Sequence, residues 1–295
     1  MSVAEQQRCK AEDLMGEAEQ KLNETGGKCC GGGKSRARVE EACDLYVKAG
    51  NAFKMAKEWH RAGSAFAEAA AIQLENGRKN ESGMHYVEAA KCYKKVSHED
   101  CEQCLLKATE VYSDVGRGKT VAKQYMTLAE LYEEQGNLEK AVEQFQLAAD
   151  MFSGEELASS TTKCLLSVAT HSATLGDFER AEQIFEQLGE SSLSNKLLKY
   201  TACEHFARAG LCRLASKPQD GDGLLKKIAE WKESSPAFAE SRECTWLIRM
   251  ADACQKESLD DLNEAVRTYE SVTRLSKWEE NLLKRIRKHI GPDLR

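Results

Sequence analysis

Proline is nearly missing from this chain: three residues in 295, none before Pro218. Proline removes a backbone N–H and clashes with the preceding helical turn. More than two hundred residues without one, rich in Ala, Glu, Lys and Leu, predict helix after helix. Long apolar runs are absent as well. No segment approaches the 18 residues that a membrane-spanning helix needs. The start, MSVAEQQRCKAEDLMGEAEQ, has no apolar h-region, so no secretory signal is expected there. Positive charge is in deficit: 42 basic against 48 acidic side chains give a net charge of −6. That argues against a general nucleic-acid binder and predicts that any charged partner is met by a local patch.

Catalytic constellations are lacking too. The histidines form no Ser/His/Asp or Cys/His arrangement, and no cofactor is expected. His98, Cys101 and Cys104 in HEDCEQC have metal-ligand spacing. A closed structural site needs four ligands, no second cluster stands at a suitable distance, and packing is the simpler reading. GKCCGGGKS approaches G-x-x-x-x-G-K-[ST], but Gly27 plus five reaches Gly32, and the next residue is Gly33 instead of Lys. It also follows helical pattern where a P-loop follows a strand. The twelve cysteines lie scattered through helical pattern, which reads as reduced, mostly buried thiols in the cytosol and not as a disulfide framework.

What the chain does contain is a repeat. Hydrophobic content of 41% with 31% charge suits an extended helical array. Ala62, Cys101, Ala141 and Ala181 recur at steps of 39, 40 and 40, and four residues after each stand Phe66, Leu105, Phe145 and Phe185. Phe53, Tyr93 and Tyr132 repeat at the same period, as do Ala129, Ala169 and Ala209. LAELYEEQGNLEKAVEQF and VATHSATLGDFERAEQIF each read as helix, tight turn at Gly136 or Gly176, then a second helix. Small residues let helices approach, and an aromatic fills the space beside them. Tetratricopeptide repeats run at 34 residues; a period near 40 predicts longer helices, of ~15–18 residues. A fifth unit over 197–230 carries a loop at SKPQDGDG, and a sixth repeats the spacing with Ala265 and Tyr269.

Lys123 and Lys163 stand 40 residues apart, in equivalent places on successive units. At 100° per residue Lys123 points away from Tyr132, so the two lysines are expected to form a ladder on a polar face. The next rung is Cys203, with Lys199 one turn away.

The runs EEACDLYVKAGNAFKMAKEW, YSDVGR, AADMFSGEE, KCLL, LLKY, SPAFAESREC and the final DLR resemble soluble NSF attachment proteins of the α/β type, from Ala18 to Arg295 with a gap only near SKPQDGDG. The resemblance implies an all-α fold: a right-handed solenoid of antiparallel helix pairs, similar to tetratricopeptide repeats, ending in a C-terminal helical bundle. Residues 1–295 would form one elongated domain. Its parts are an N-terminal helix (1–23), a flexible Gly/Cys membrane-proximal loop (24–38), the solenoid (39–235), the bundle (236–290) and a tail (291–295).

Members of that family are non-enzymatic adaptors. They coat the SNARE four-helix bundle, formed by syntaxin-type and other SNAREs. They then recruit the hexameric ATPase N-ethylmaleimide-sensitive factor (NSF), which disassembles it for further vesicle fusion. The resemblance therefore implies a cytoplasmic, peripheral membrane protein on the cytosolic face of vesicles and target membranes. SNARE-facing basic positions carry over at Arg117, Lys123, Lys163 and Arg242, with Lys199 added from the ladder, and are lost at Ser167 and Cys203. NSF-facing positions carry over at Asp252 and at Asp293 and Leu294 beside Arg295. Gln255 and Lys256 replace a glutamate pair, and Glu257, Asp260 and Asp261 lie close enough to restore the charge.

In GGKCCGGGK, Cys29 and Cys30 stand where the family's membrane loop has adjacent phenylalanines. Two thiols bury far less apolar area than two rings, so direct insertion over 26–34 is expected to be weak. Two readings of the pair stand. One is S-acylation beside Lys28, Lys34, Arg36 and Arg38; the other is plain thiols. A generic helical-repeat scaffold, and a thiol or metal enzyme, are the alternatives to the adaptor reading.

Overall fold

The computed structural model describes residues 2–24, 33–195 and 198–290. Among them are fifteen helices and no strand, so the all-α expectation holds. The first seven are α1 (Val3–Glu24), α2 (Gly33–Ala56), α3 (Trp59–Glu75), α4 (Lys79–Tyr93), α5 (His98–Asp114), α6 (Gly118–Glu134) and α7 (Leu138–Gly154). Next come α8 (Ala158–Leu175), α9 (Phe178–Leu193), α10 (Lys199–Ser216) and α11 (Gly221–Ser234). The chain closes with α12 (Pro236–Ala239), α13 (Arg242–Gln255), α14 (Leu259–Glu270) and α15 (Lys277–Ile290). Helices α3 to α10 run 15 to 18 residues, as the long period predicts.

The repeat positions occupy one structural role. Ala62, Cys101, Ala141 and Ala181 are each the fourth residue of α3, α5, α7 and α9, and all are buried, as are Phe66, Leu105, Phe145 and Phe185. Gly136 and Gly176 adopt φ of +76° and +93°. At Gly136 the N–H donates to the Glu133 carbonyl (3.0 Å) and the N–H of Asn137 to that of Tyr132 (2.9 Å). That is the Schellman arrangement, in which a left-handed residue ends a helix and its following N–H groups satisfy the last carbonyls. The same pair of bonds recurs at Lys57, Gly77, Gly116, Glu156, Gly176 and Glu257, each with positive φ.

The chain divides into two compact units where one elongated domain was expected: 1–137 with 147–158, and 138–146 with 159–295. Repeats pack chiefly on their sequence neighbours, so cohesion is local. In the first unit α1 to α6 pack each on the next. In the second, α9 packs on α10, which also meets α12, α13 and α15. Helix α15 turns back: Trp278 Nε1–H donates to the Thr170 carbonyl (3.1 Å) and its ring lies 5.5 Å from Phe185. Arg285 Nε–H donates to the Ala215 carbonyl (3.1 Å) and its guanidinium covers the Phe178 ring. The C-terminal helices therefore close on α8, α9 and α10. At the other end α2 begins at Gly33, so 33–38, read from sequence as loop, is helical. Ala, Arg, Val and Glu after Gly33 favour helix, and the breakers lie before it.

Candidate partner-binding surfaces

Arg117 and Lys123 belong to the first unit. Arg117 is the N-cap residue of α6: its N–H donates to the Tyr112 carbonyl (3.0 Å), while its side chain stays exposed and caps nothing. Burial pushes the Tyr112 phenol up and the Arg117 charge draws it part of the way back. Lys123 is exposed in α6, whereas Tyr132 is 6% exposed, the opposition that helical phase predicts.

In the second unit Lys163 is exposed on α8 and Ser167, one turn on, is half-buried. Lys199 opens α10, its Nζ 5.0 Å from the ring of exposed Tyr200. Cys203 is 2% exposed, unlike Lys163 at the same repeat position. The start of α13 covers this face of α10: burial raises the Cys203 thiol most, with Glu243, Ser241 and Cys244 all bearing on it. Cys203 itself therefore offers no rung to solvent. Arg242, next to Ser241, is the exposed cation that the covering helix itself brings. Its Nε–H donates to Glu243 Oε1 (2.9 Å), and the Tyr269 hydroxyl donates to the same oxygen (3.2 Å). Glu243 is buried, so these donors offset its desolvation.

The acidic candidates meet at the α13–α14 turn. Asp252 is half-buried in the last turn of α13; Glu257, at φ +50°, and Asp260 and Asp261 are exposed. Ser258 caps α14, its hydroxyl accepting from the Asp261 N–H (3.2 Å). Sequence reasoning missed Asp222 of α11, to which the Gln255 carboxamide donates. Position 255, which looked like a lost acid, thus brings one in from another helix. Asp293 and Leu294 lie outside the described residues, as do Lys28, Cys29 and Cys30. Lys34 falls in the first turn of α2.

Cys101 and Cys104 are buried, and burial lifts both thiols to about 11. His98 is exposed at the start of α5. Among the described residues no three His, Cys, Asp or Glu side chains converge as a metal site, and nine of the ten described cysteines are buried. No helix of the described residues is long and apolar enough to cross a membrane.

Fold and surface together define a helical-repeat protein with exposed basic positions in both units and an acidic turn near its C-terminal end. The family model for soluble NSF attachment protein, SNAP, matches residues 9–291, and the chain belongs to that family. It is 38% identical over 286 residues to the β-soluble NSF attachment protein of Bos taurus, covering 96% of this chain and 94% of that one. To the α-soluble NSF attachment protein of Mus musculus it is 38% identical over 283 residues, 95% and 94% of the two chains. The vesicular-fusion protein SEC17 of Komagataella phaffii is 29% identical over 288 residues, 94% and 96%.

Proposed function

We propose that this chain is an adaptor for SNARE disassembly. It binds the assembled SNARE four-helix bundle, recruits the NSF hexamer and stimulates its ATPase, serving vesicle fusion and intracellular transport, including traffic between endoplasmic reticulum and Golgi. The end-to-end match to NSF attachment proteins carries this reading. Arg117, Lys123, Lys163, Lys199 and Arg242 would meet acidic side chains of the bundle. Asp252, Glu257, Asp293 and Leu294 would meet NSF, with Asp222, Asp260 and Asp261 adding to the acidic turn. The chain itself catalyses no reaction; ATP hydrolysis is NSF's. It works on the cytosolic face of vesicle and target membranes, touching lipid through 26–34 with Lys28, Cys29, Cys30 and Lys34.

Helix polarity supports the basic assignment. Arg117, Lys199 and Arg242 all sit at helix N-termini, where the helix macrodipole disfavours a cation by ~0.3–1 kcal/mol. The helix dipole thus leaves Arg117 and Lys199 free to attract an outside anion, whereas Arg242 also pairs with Glu243 of its own helix.

The test is ATP-driven disassembly of a purified SNARE bundle by NSF, with wild type and Leu294→Ala. Wild type disassembles the bundle; the variant binds it but leaves the ATPase unstimulated. Absence of disassembly with matched NSF and SNAREs refutes the adaptor role and leaves a repeat scaffold for another complex.

A further inference from the structure

Five serines of the chain are followed three places on by an acidic residue: Ser2, Ser97, Ser153, Ser258 and Ser276. For four of them a helix start explains the pattern. The hydroxyls of Ser2, Ser97, Ser258 and Ser276 accept from the N–H of Glu5, Asp100, Asp261 and Glu279, at 3.2 to 3.3 Å. That is the cap that opens a helix. Ser153 is the exception. It stands in the last turn of α7, where the Glu156 N–H donates to the Ser153 carbonyl (3.1 Å) instead. Its hydroxyl has no partner among the described residues. Other hydroxyls inside helices, such as those of Thr109, Thr170 and Ser192, donate to the carbonyl one turn back.

The turn around Ser153 is open. Ser153, Gly154, Glu155 and Glu156 are all exposed, and a Cβ built on Gly154 would meet nothing within 4 Å. Glu156, at φ +56°, turns the chain out of the helix. A free hydroxyl followed by two carboxylates on an open turn suits a serine kinase whose substrate groove is basic. The turn also has a cationic neighbour. Glu155 leans on the start of α6, where a Cβ on Gly118 would overlap its carboxylate. Arg117, the residue before Gly118, is exposed and makes no ion pair among the described residues. Both turns belong to the first unit.

We propose that Ser153 is a phosphorylation site for an acid-directed serine kinase, and that its phosphate binds the Arg117 guanidinium. The Ser153 Oγ–P bond forms as the bond between the γ-phosphorus of ATP and the β,γ-bridging oxygen breaks. ADP leaves, and the hydroxyl proton passes to the general base of the kinase. The phosphate carries a charge of about −1.5 to −2 and three acceptor oxygens, which a guanidinium meets with two parallel donors. Helix α7 gives it no support. The C-terminal end of a helix is the negative end of its dipole, and Glu155 and Glu156 add like charge, so Arg117 is the group that offsets it. The consequence for binding rests on the adaptor reading. A cation that would meet the SNARE bundle is engaged by the phosphate, negative charge is set beside it, and the modified chain holds the bundle less tightly.

The test treats the full chain and Ser153→Ala with ATP and a purified acid-directed serine kinase of the casein kinase 2 type, and maps phosphate by mass spectrometry. The expected result is one phosphate, on Ser153, absent from Ser153→Ala, with the four capping serines unmodified. A folded chain that takes phosphate only elsewhere, or not at all, overturns the site. Phosphorus NMR against pH then reads the contact with no partner present. The second pKa of the phosphoserine, ordinarily ~6, lies lower in wild type than in Arg117→Gln, because a neighbouring cation favours the dianion. Equal values overturn the Arg117 contact. With a purified assembled SNARE bundle, phosphorylation weakens binding about fivefold in wild type and less in Arg117→Gln. A bundle that holds modified and unmodified chain alike overturns the regulation and leaves the adaptor reading standing. One that binds neither refutes the adaptor reading, while the site and its contact stand on the first two measurements.

Discussion

Gly189 in α9 is the place where one added methyl group tests the packing of the second unit. An alanine Cβ there would stand 2.6, 2.8 and 3.0 Å from three ring carbons of Phe206, against a comfortable carbon–carbon separation of ~3.5–4.0 Å. The ring cannot withdraw. Phe206 is fully buried, stacked on Trp231 at 5.1 Å and met edge-on by Phe238 at 5.2 Å. Two effects of opposite sign compete at this site. Replacing glycine within a helix by alanine stabilises it by up to ~1 kcal/mol. Forcing a methyl group into a filled core destabilises it by ~1–3 kcal/mol. Since three atoms are crowded and two further rings hold the one in the way, overpacking wins, and Gly189→Ala is expected to lose ~1–2 kcal/mol.

Gly16 of α1 supplies the control, with nothing within 4 Å of its added Cβ; Gly16→Ala should gain up to ~1 kcal/mol. Urea unfolding followed by tryptophan fluorescence reads both, as a change of midpoint at constant slope. Trp231, Trp246 and Trp278 report the second unit and Trp59 the first. Trimming the obstacle in Gly189→Ala/Phe206→Leu should recover part of the loss, a coupling expected of residues in contact. A raised midpoint for Gly189→Ala, matching that of Gly16→Ala, would show that α9 and α10 do not approach each other as described.

Glu156 holds φ +56° at the end of α7 without being glycine. Left-handed backbone costs an ordinary residue ~1 kcal/mol, part of which glycine gives back as unfolded-state entropy. Glu156→Gly should therefore raise the urea midpoint by ~0.5 kcal/mol equivalent, and a fall refutes the strain. His205 is 2% exposed, and burial brings its imidazole down to about 4 from the ordinary 6.5. As pH falls the unfolded chain takes this proton first, so the stability it governs is complete above pH 6.5 and drains towards pH 4. The loss steepens to at most ~1.4 kcal/mol per pH unit. His205→Gln should flatten that part of the stability–pH curve, and an unchanged curve would mean that the ring is hydrated in the native state.

Much of the repeat was legible because it rests on local chemistry. Alanine followed four residues later by an aromatic or leucine is a pattern that helical phase alone places on one buried stripe. Gly136 and Gly176 announce their turns because few other residues accept positive φ. The turns at Lys57, Glu156 and Glu257 were illegible for the same reason: the helices on either side impose a left-handed residue that no local preference advertises. Long-range cover was illegible too. Position 203 looks like position 163 by period, and only α13 lying across α10 makes one buried and the other exposed. Gln255 reads as a lost carboxylate until α11 is seen to place Asp222 beside it.

The displaced rung also decides how the basic residues must be tested. A cation carried by α13 comes attached to the packing of the second unit. Arg242 holds the buried Glu243 carboxylate together with the Tyr269 hydroxyl, so its removal leaves a buried charge with one donor fewer, a change that reaches the fold. Lys123 is exposed and carries no such duty among the described residues. Lost bundle binding in Lys123→Glu is therefore evidence about the partner, whereas the same loss in Arg242→Ala mixes partner and fold. On a chain of net charge −6, an acidic helical bundle is repelled on average and attracted only where local cations outweigh the rest. The affinity proposed here should thus fall steeply with salt, and fall further in Lys123→Glu at low salt than at high. Equal losses at both ionic strengths would mean that shape, not charge, brings the two together.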